Sequence, residues 1–145
     1  MNKFCFLFGH RDAPESILPQ IEQAVEEKYL MDGIKEFVVG HRGNFDSLST
    51  RAVRSVKAKH PEIRLTRLLA YHPANGRKED ESLGATYYPE GMENVPKRLA
   101  IVRANQKAVD AAHSLICYVN RIGNTRELLE YAEKKKGIGC IKNLA

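Results

Sequence analysis

The chain has 145 residues, and we expect its whole length, 1–145, to form a single domain. Hydrophobic residues make up 43% and charged residues 28%, a composition typical of globular proteins and unlike that of disordered chains. No apolar run approaches the roughly 20 residues that a membrane span requires, and the run after Lys3 is too short for a signal peptide. We therefore expect a cytoplasmic protein without a membrane partner, and its net charge of +5 favours an anionic partner.

The predicted elements follow a regular alternation. In chain order they are a strand over 3–8, a helix that ends at Gly33, a strand over 36–40, a helix that begins at Asn44 or Asp46 and ends at His60, a strand over 64–71, a helix over 97–113, a strand over 114–119, a helix that ends at Gly137 and a strand over 138–144. The first, second and fourth strands are continuous apolar runs, as in strands buried on both faces. The third is less apolar, so we place it nearer an edge.

This alternation predicts an α/β fold, a single Rossmann-like three-layer domain. Its five-stranded parallel sheet is covered by helices on both faces. The doubly wound strand order 3-2-1-4-5 places the first and fourth strands side by side where the winding reverses. Ligands of such sheets lie at the carboxyl ends of the strands in that crevice.

The segment 72–96 has no sustained hydrophobic period and is rich in Pro, Gly, Asn and charge. A loop of this length in a small domain is often a lid or binding loop, with Tyr87-Tyr88 as its anchor. The alternative is a tolerated surface excursion.

The three cysteines, Cys5, Cys117 and Cys140, each lie inside an apolar run. We interpret them as buried, reduced packing residues. The chain has no Cys-x-x-Cys sequence, which argues against a thiolate zinc site.

Two similar turns follow the first two predicted strands, Gly9-His10-Arg11 and Gly40-His41-Arg42-Gly43-Asn44. If the strands are parallel neighbours, both turns emerge at one sheet edge, facing the first-turn amides of the following helices. Glycine allows a ligand to approach the backbone, and arginine offers a planar fork of donors to phosphate. The pair therefore predicts a site for an anionic, phosphate-bearing ligand. The alternative is that both arginines pair with the nearby Asp12 and Asp46.

A third turn, Gly123-Asn124-Thr125, opens a helix after the fourth strand. Its free amides and Thr hydroxyl suit a phosphate, although Asn124 and Glu127 also have the spacing of a capping box. We expect further ligand contacts from Arg98, Arg103, Asn105 and Tyr118, of which Arg103 and Asn105 can instead be solvated or buttressing residues.

Two carboxylates are candidate catalytic groups, Asp46 and Glu127. Either can stabilise an oxocarbenium-like ribosyl centre or activate water, whereas helix capping is the plainer role for both. His10, His41 and His72 each follow a predicted strand. No carboxylate or cysteine completes a recognisable spacing with them, so we expect neither a metal nor a cofactor.

Taken together, the two Gly-His-Arg turns, Arg98-x4-Arg103-Ala-Asn105 and Tyr118-x4-Gly123-Asn124-Thr125 resemble the SLOG superfamily of small bacterial and phage proteins. The resemblance covers nearly the whole chain. It implies a Rossmann-like domain like those of DprA and the LOG cytokinin-activating enzymes, and a nucleotide or nucleotide-derived ligand above the strand ends. Members are ligand sensors, single-strand DNA binders or phosphoribohydrolases.

The phosphoribohydrolases of that superfamily carry Pro-Gly-Gly-x-Gly-Thr-x-x-Glu after the fourth strand. Here Gly123 and Thr125 match, the Pro-Gly-Gly part is absent, and Glu127 is one residue closer to the threonine. We therefore rank a nucleotide-binding sensor first and a nucleoside 5'-monophosphate N-glycosidase second. A DprA-like single-strand DNA binder ranks third, since aromatic residues do not interleave with the charges of the second helix. Those charges are Arg51, Arg54, Lys57 and Lys59. Because related folds often dimerise through helices, a homodimer is also expected.

Overall fold

The computed structural model describes residues 3–72 and 84–145, which form one parallel sheet flanked by helices. The strands are β1 Phe4–Gly9, β2 Glu36–Val39, β3 Arg64–Leu68, β4 Ala85–Tyr87, β5 Ser114–Tyr118 and β6 Ile141–Asn143. The α-helices are α1 Leu18–Asp32, α2 Asn44–Lys59, α3 Ala100–Ala111 and α4 Asn124–Lys136. Short 3-10 turns span Glu15–Ile17, Met92–Asn94, Lys97–Leu99 and Ile138–Cys140.

The sheet order is β4-β3-β2-β1-β5-β6. The prediction of five strands in the order 3-2-1-4-5 is therefore wrong. Ala85–Tyr87 adds a strand beside β3, with Thr66 opposite Ala85, and takes the edge position that we expected β3 to hold. This strand has only three residues and lies in a segment without periodicity, so no hydrophobic pattern marks it.

Both faces of the sheet are buried. On β1, Phe4, Phe6 and Phe8 belong to the cluster that α3 and α4 cover. Cys5 and Leu7 point the other way, into the cluster under α1 and α2. Alternate residues of a strand face opposite sides, so a strand buried twice must be apolar throughout. The three-layer α/β arrangement is confirmed, while the single-domain assignment stays a prediction.

Some element boundaries differ from the prediction. The predicted helix over 97–113 is a 3-10 turn followed by α3, and the predicted strand over 138–144 is a 3-10 turn followed by β6. Cys5 and Cys117 are buried and free, as predicted, whereas Cys140 is only half-buried. Burial raises the pKa of the Cys117 thiol to about 12, which leaves it unreactive at neutral pH.

Part of the predicted loop over 72–96 is structured. Residues 73–83 lie outside the described residues, and 84–96 contain β4 and two turn segments. The Tyr87 ring packs edge-on against Phe4 at 5.8 Å between centroids, and Tyr88 packs edge-on against His72 at 5.3 Å. These contacts attach this part of the segment to the sheet.

Within the residues that the structure describes, no helix combines the length and apolar character needed to cross a membrane.

Candidate functional site

A cavity of about 530 Å³ lies over the carboxyl ends of the central strands, beside the first half of α3. Most of the predicted site residues line it, namely Gly9, His10, Arg11, Gly40, His41, Arg42, Asp46, Asn105, Gly123, Asn124, Thr125 and Glu127. Parallel pairing of β1 with β2 and with β5 brings the three turns to this edge. The volume is within the usual range for small-molecule sites.

Five of the predicted site residues do not line the cavity in the described part of the chain. They are Gly43, Asn44, Arg98, Arg103 and Tyr118. Gly43 and Asn44 lie behind it, where the Asn44 amide donates to the Arg11 carbonyl at 2.7 Å. Arg98 and Arg103 are exposed. The half-buried Tyr118 ring lies edge-on to His10, with centroids 6.0 Å apart.

In the first turn, His10 is buried and hydrogen-bonded within the protein. Its Nε2 accepts a hydrogen bond from the Asn120 amide at 3.0 Å, so the neutral ring carries its hydrogen on Nδ1. Burial, reinforced by the charge of Arg121, lowers the pKa of His10. The ring therefore joins the end of β1 to the loop before α4, and its Nε2 is not available to a ligand.

In the second turn, the backbone amide of Arg42 is already hydrogen-bonded to a carboxylate. Asp46 Oδ2 accepts a hydrogen bond from the Arg42 amide at 2.9 Å. A Cβ atom on Gly40 would lie 2.5 Å from that oxygen, so glycine is required for this contact. Burial raises the pKa of Asp46 to about 6, against the opposing effects of this hydrogen bond and of the Arg67 and Arg42 charges.

Arg67 of β3 fixes the backbone of the second turn, and the sequence analysis did not identify it. It is 9% exposed. Its Nη1 donates to the Gly40 carbonyl at 2.8 Å and to Thr50 Oγ1 at 2.5 Å. Thr50 Oγ1 in turn donates to the Asp46 carbonyl at 2.9 Å. Among the described residues, the buried Arg67 Nε has no hydrogen-bond partner. An arginine inside a strand that ends at the ligand edge is the signal that could have identified it.

The charged side chains of the turns pair differently from the predicted alternative. Asp12 forms an ion pair with Arg121 at 2.8 Å, rather than with its neighbour Arg11. This hydrogen bond holds the pKa of Asp12 below its usual value. Asp46 binds the backbone of Arg42, whose guanidinium carbon lies 5.8 Å from the Tyr71 ring centroid. Arg121 also lines the cavity, and the sequence analysis did not include it among the ligand contacts.

The N-terminus of α4 opens onto the cavity. Gly123, at the N-cap, has φ 145° and ψ −168°, a conformation that glycine adopts readily. It has no side chain to cap the helix. Asn124 and Glu127 have the spacing of a capping box but do not form one, because Gly123 is the N-cap and the Glu127 amide donates to its carbonyl at 3.0 Å. The first-turn amides lie at the positive end of the helix dipole and face the cavity, and Gly123 provides no side-chain cap for them.

Apolar side chains also line the cavity. Ile101 and Val102 belong to α3, and Ile122 belongs to the loop that leads into α4. Ile122 is 93% exposed, which is unusual for a large aliphatic side chain on a cavity wall. Helical spacing gave no reason to distinguish Ile101 and Val102 from ordinary packing positions, and Ile122 stands alone in a turn.

The histidines do not form a metal centre in this part of the chain. In the described ranges, no three His, Cys, Asp or Glu side chains are grouped closely enough to hold a metal ion.

No protein-family model matches the chain, and no curated protein matches its sequence. Its structure is similar to the crystal structure of DNA processing protein A (DprA) from Streptococcus pneumoniae, with a TM-score of 0.62 and 12% identity. The match covers 92% of this chain and 47% of that one, so the chain spans about half of that protein's length. At this identity the likeness supports a Rossmann-like α/β fold and nothing finer.

Proposed function

We propose that this chain is a SLOG-like domain that binds a nucleotide or nucleotide-derived anionic ligand in the cavity above the strand ends. The observation that carries the proposal is the convergence of the α4 N-terminus with Arg11, Arg42 and Arg121 on one cavity of about 530 Å³. Backbone amides at a helix N-terminus bind phosphate, and guanidinium groups add charge-assisted hydrogen bonds.

Apolar lining residues suit the remainder of such a ligand. Ile101, Val102 and Ile122 offer apolar surface on which a base can pack. The Asn105 side chain also lines the cavity and supplies a donor and an acceptor. A cavity lined by both cationic and apolar residues matches the two chemical parts of a nucleotide.

Native mass spectrometry of protein purified without dialysis tests the proposal, because a retained nucleotide appears as added mass. Calorimetry with a nucleotide panel follows. Arg42→Ala should weaken binding by about tenfold or more, the value of a charge-assisted hydrogen bond, without unfolding the domain. Arg64→Ala, which removes a charge at the amino end of β3, is the matched control. Unchanged affinity in Arg42→Ala would contradict the proposal.

A second candidate is a nucleoside 5'-monophosphate N-glycosidase, and Asp46 is the observation that favours it. A carboxyl in a cavity wall with a pKa of about 6 suits general acid–base catalysis near neutral pH. In that reaction water adds across the N-glycosidic bond, giving free base and ribose 5-phosphate. Incubation with AMP or CMP, followed by chromatography for free base, tests it. Binding without release of base would leave the sensor proposal standing alone.

Single-strand DNA binding is the third candidate, supported by the likeness to a protein whose name describes DNA processing. The basic residues of α2 argue against it, because most of them have partners. Arg51 pairs with Glu15 at 2.5 Å, Lys59 pairs with Glu26 at 3.2 Å, and Lys57 donates to main-chain carbonyls. A mobility-shift titration across salt concentrations decides this. The expected homodimer stays a prediction that light scattering can test.

A further inference from the structure

We propose that Asp46 makes the two ends of the cavity differ in charge, so that the site selects ligands whose negative charge is confined to one end. The end beside the N-terminus of α4, the α4 end, would receive that charge, and the end beside the N-terminus of α2 is the α2 end. The α2 end would receive an uncharged, hydroxyl-bearing part of the ligand, such as a ribose, whose hydroxyl oxygens can accept hydrogen bonds from the Arg42 guanidinium. This inference rests on the proposed function and refines it.

The first argument is that the α2 end already contains an anion. The Arg42 amide, which a phosphate would need, donates instead to Asp46 Oδ2 at 2.9 Å. A phosphate placed there would have to displace the carboxylate or lie in contact with it. Two negative charges in contact repel strongly in a partly dehydrated site. The Gly40 turn thus resembles an anion site, but the protein supplies the anion.

The second argument is that Asp46 is held in place. Its carboxylate accepts from the Arg42 amide. The surrounding backbone is fixed, because Arg67 donates to the Gly40 carbonyl and to Thr50, and Thr50 donates to the Asp46 carbonyl. The charged groups that act on the carboxylate are Arg42 from its own turn and Arg67 from β3, and both stabilise the ionised form. Moving the carboxylate aside would break its hydrogen bond with the Arg42 amide and take it away from both guanidinium charges.

The third argument concerns what a fixed carboxylate can bind. An ionised carboxylate only accepts hydrogen bonds, so Asp46 suits donors such as the hydroxyl groups of a sugar. The α4 end differs, because backbone amides of Gly123–Thr125 and the Arg121 guanidinium provide donors there. Glu127 also lines that end, but it is exposed and therefore screened by water.

Calorimetry with AMP and CMP, and with adenosine and cytidine 3',5'-bisphosphate, tests the inference at pH 7.5. Wild-type protein should bind the preferred monophosphate at least tenfold more tightly than the matching bisphosphate, whose second phosphate lies on the ribose and would enter the α2 end. Asp46→Asn keeps an oxygen for the Arg42 amide and removes the charge, so it should reduce that ratio to about threefold or less by gaining affinity for the bisphosphate. Glu15→Gln, the matched control, removes an exposed carboxylate that pairs with Arg51 and does not line the cavity among the described residues, so it should leave the ratio unchanged.

Two negative results are distinguishable. If none of the four nucleotides binds, the proposed function fails and the inference fails with it. If nucleotides bind but wild type does not distinguish mono- from bisphosphate, or Asp46→Asn keeps the wild-type ratio, only the inference is overturned. The wild-type ratio is decisive by itself should the variant not fold.

Discussion

The amide of Asn44 donates to the carbonyl of Arg11 at 2.7 Å, which fastens the second Gly-His-Arg turn to the first. Gly43 makes this approach possible, since a Cβ atom on it would lie 2.9 Å from the Arg11 Cα. The two turns are therefore one unit of the cavity wall. Their relative position is fixed by backbone contacts and does not depend on the flexible arginine side chains.

Gly43→Ala should separate the two turns. Gly43 has φ 88° and ψ 178°, a region open almost only to glycine, and the added methyl group would meet backbone. We expect a loss of about 2–3 kcal/mol in the free energy of unfolding, from strain and the clash together. Chemical denaturation measures it.

Gly33→Ala is the control for that experiment. Gly33 also has positive φ, 67°, but a Cβ atom there would meet no other atom within 4 Å. It should cost only about 1 kcal/mol. Equal losses in the two variants would show that Arg11 exerts no steric constraint on the turn.

The strands that carry the site could be predicted because their burial leaves a simple pattern. β1 is apolar at every position since both of its faces are covered, and Gly9 marks its end. β4 could not be predicted in this way, because Ala85 and Thr86 are exposed and the strand is defined by pairing with β3. A local hydrophobic pattern carries no information about which distant segments pair.

The site was predictable to a similar depth. Glycine turns after buried strands indicated which residues reach the cavity, since parallel strands end at one edge. The sequence did not reveal that His10 Nε2 and the Arg42 amide are already bonded to Asn120 and Asp46. Nor did it reveal Arg67, whose contacts with Gly40 and Thr50 depend on the packing of β3 under α2.

Asp46→Asn should stabilise the domain at neutral pH. The folded-state pKa of Asp46 is about 6, above the ordinary value of 3.8. The stability that the neutral Asp46 carboxyl gives the folded protein is thus fully present below pH 3.8 and is lost as pH rises through about 6. The difference corresponds to roughly 3 kcal/mol, an upper value for the gain from the neutral amide at pH 7.5.

Denaturation of wild type and Asp46→Asn at pH 7.5 and pH 4.5 measures this effect. The gain should be largest at pH 7.5 and shrink at pH 4.5, where the wild-type carboxyl is protonated in the folded protein. A variant less stable than wild type at both values would mean that the Arg42 hydrogen bond outweighs the burial of charge. It would also remove the reason for a raised pKa.

His10 should titrate in the opposite sense and in a single tautomer. Its pKa is lowered by burial and by Arg121, so its contribution to stability is present above its ordinary value of 6.5 and is lost as pH falls through the folded value. Nitrogen-15 NMR of the imidazole should show hydrogen on Nδ1 at pH 7, because Nε2 accepts from Asn120. A ring protonated on Nε2 would contradict the proposed connection between β1 and the loop before α4.

The ion pair between Asp12 and Arg121 predicts competition with the ligand. Their side chains are 69% and 53% exposed, so the pair is solvated and can exchange partners. A phosphate bound at the α4 end must draw Arg121 away from Asp12 or share it. Asp12→Asn frees the guanidinium, and we expect nucleotide affinity to rise about two- to fivefold at low salt, with the gain fading as salt screens the charges.

Calorimetry at low and high salt measures that change, with Glu15→Gln as the control. Glu15 forms an equally exposed ion pair with Arg51, but neither residue lines the cavity among those described, so its loss should leave affinity unchanged. Lower affinity in Asp12→Asn would show that the ion pair positions Arg121 for the ligand rather than competing with it. The two outcomes separate a guanidinium that must be released from one that is already placed for binding.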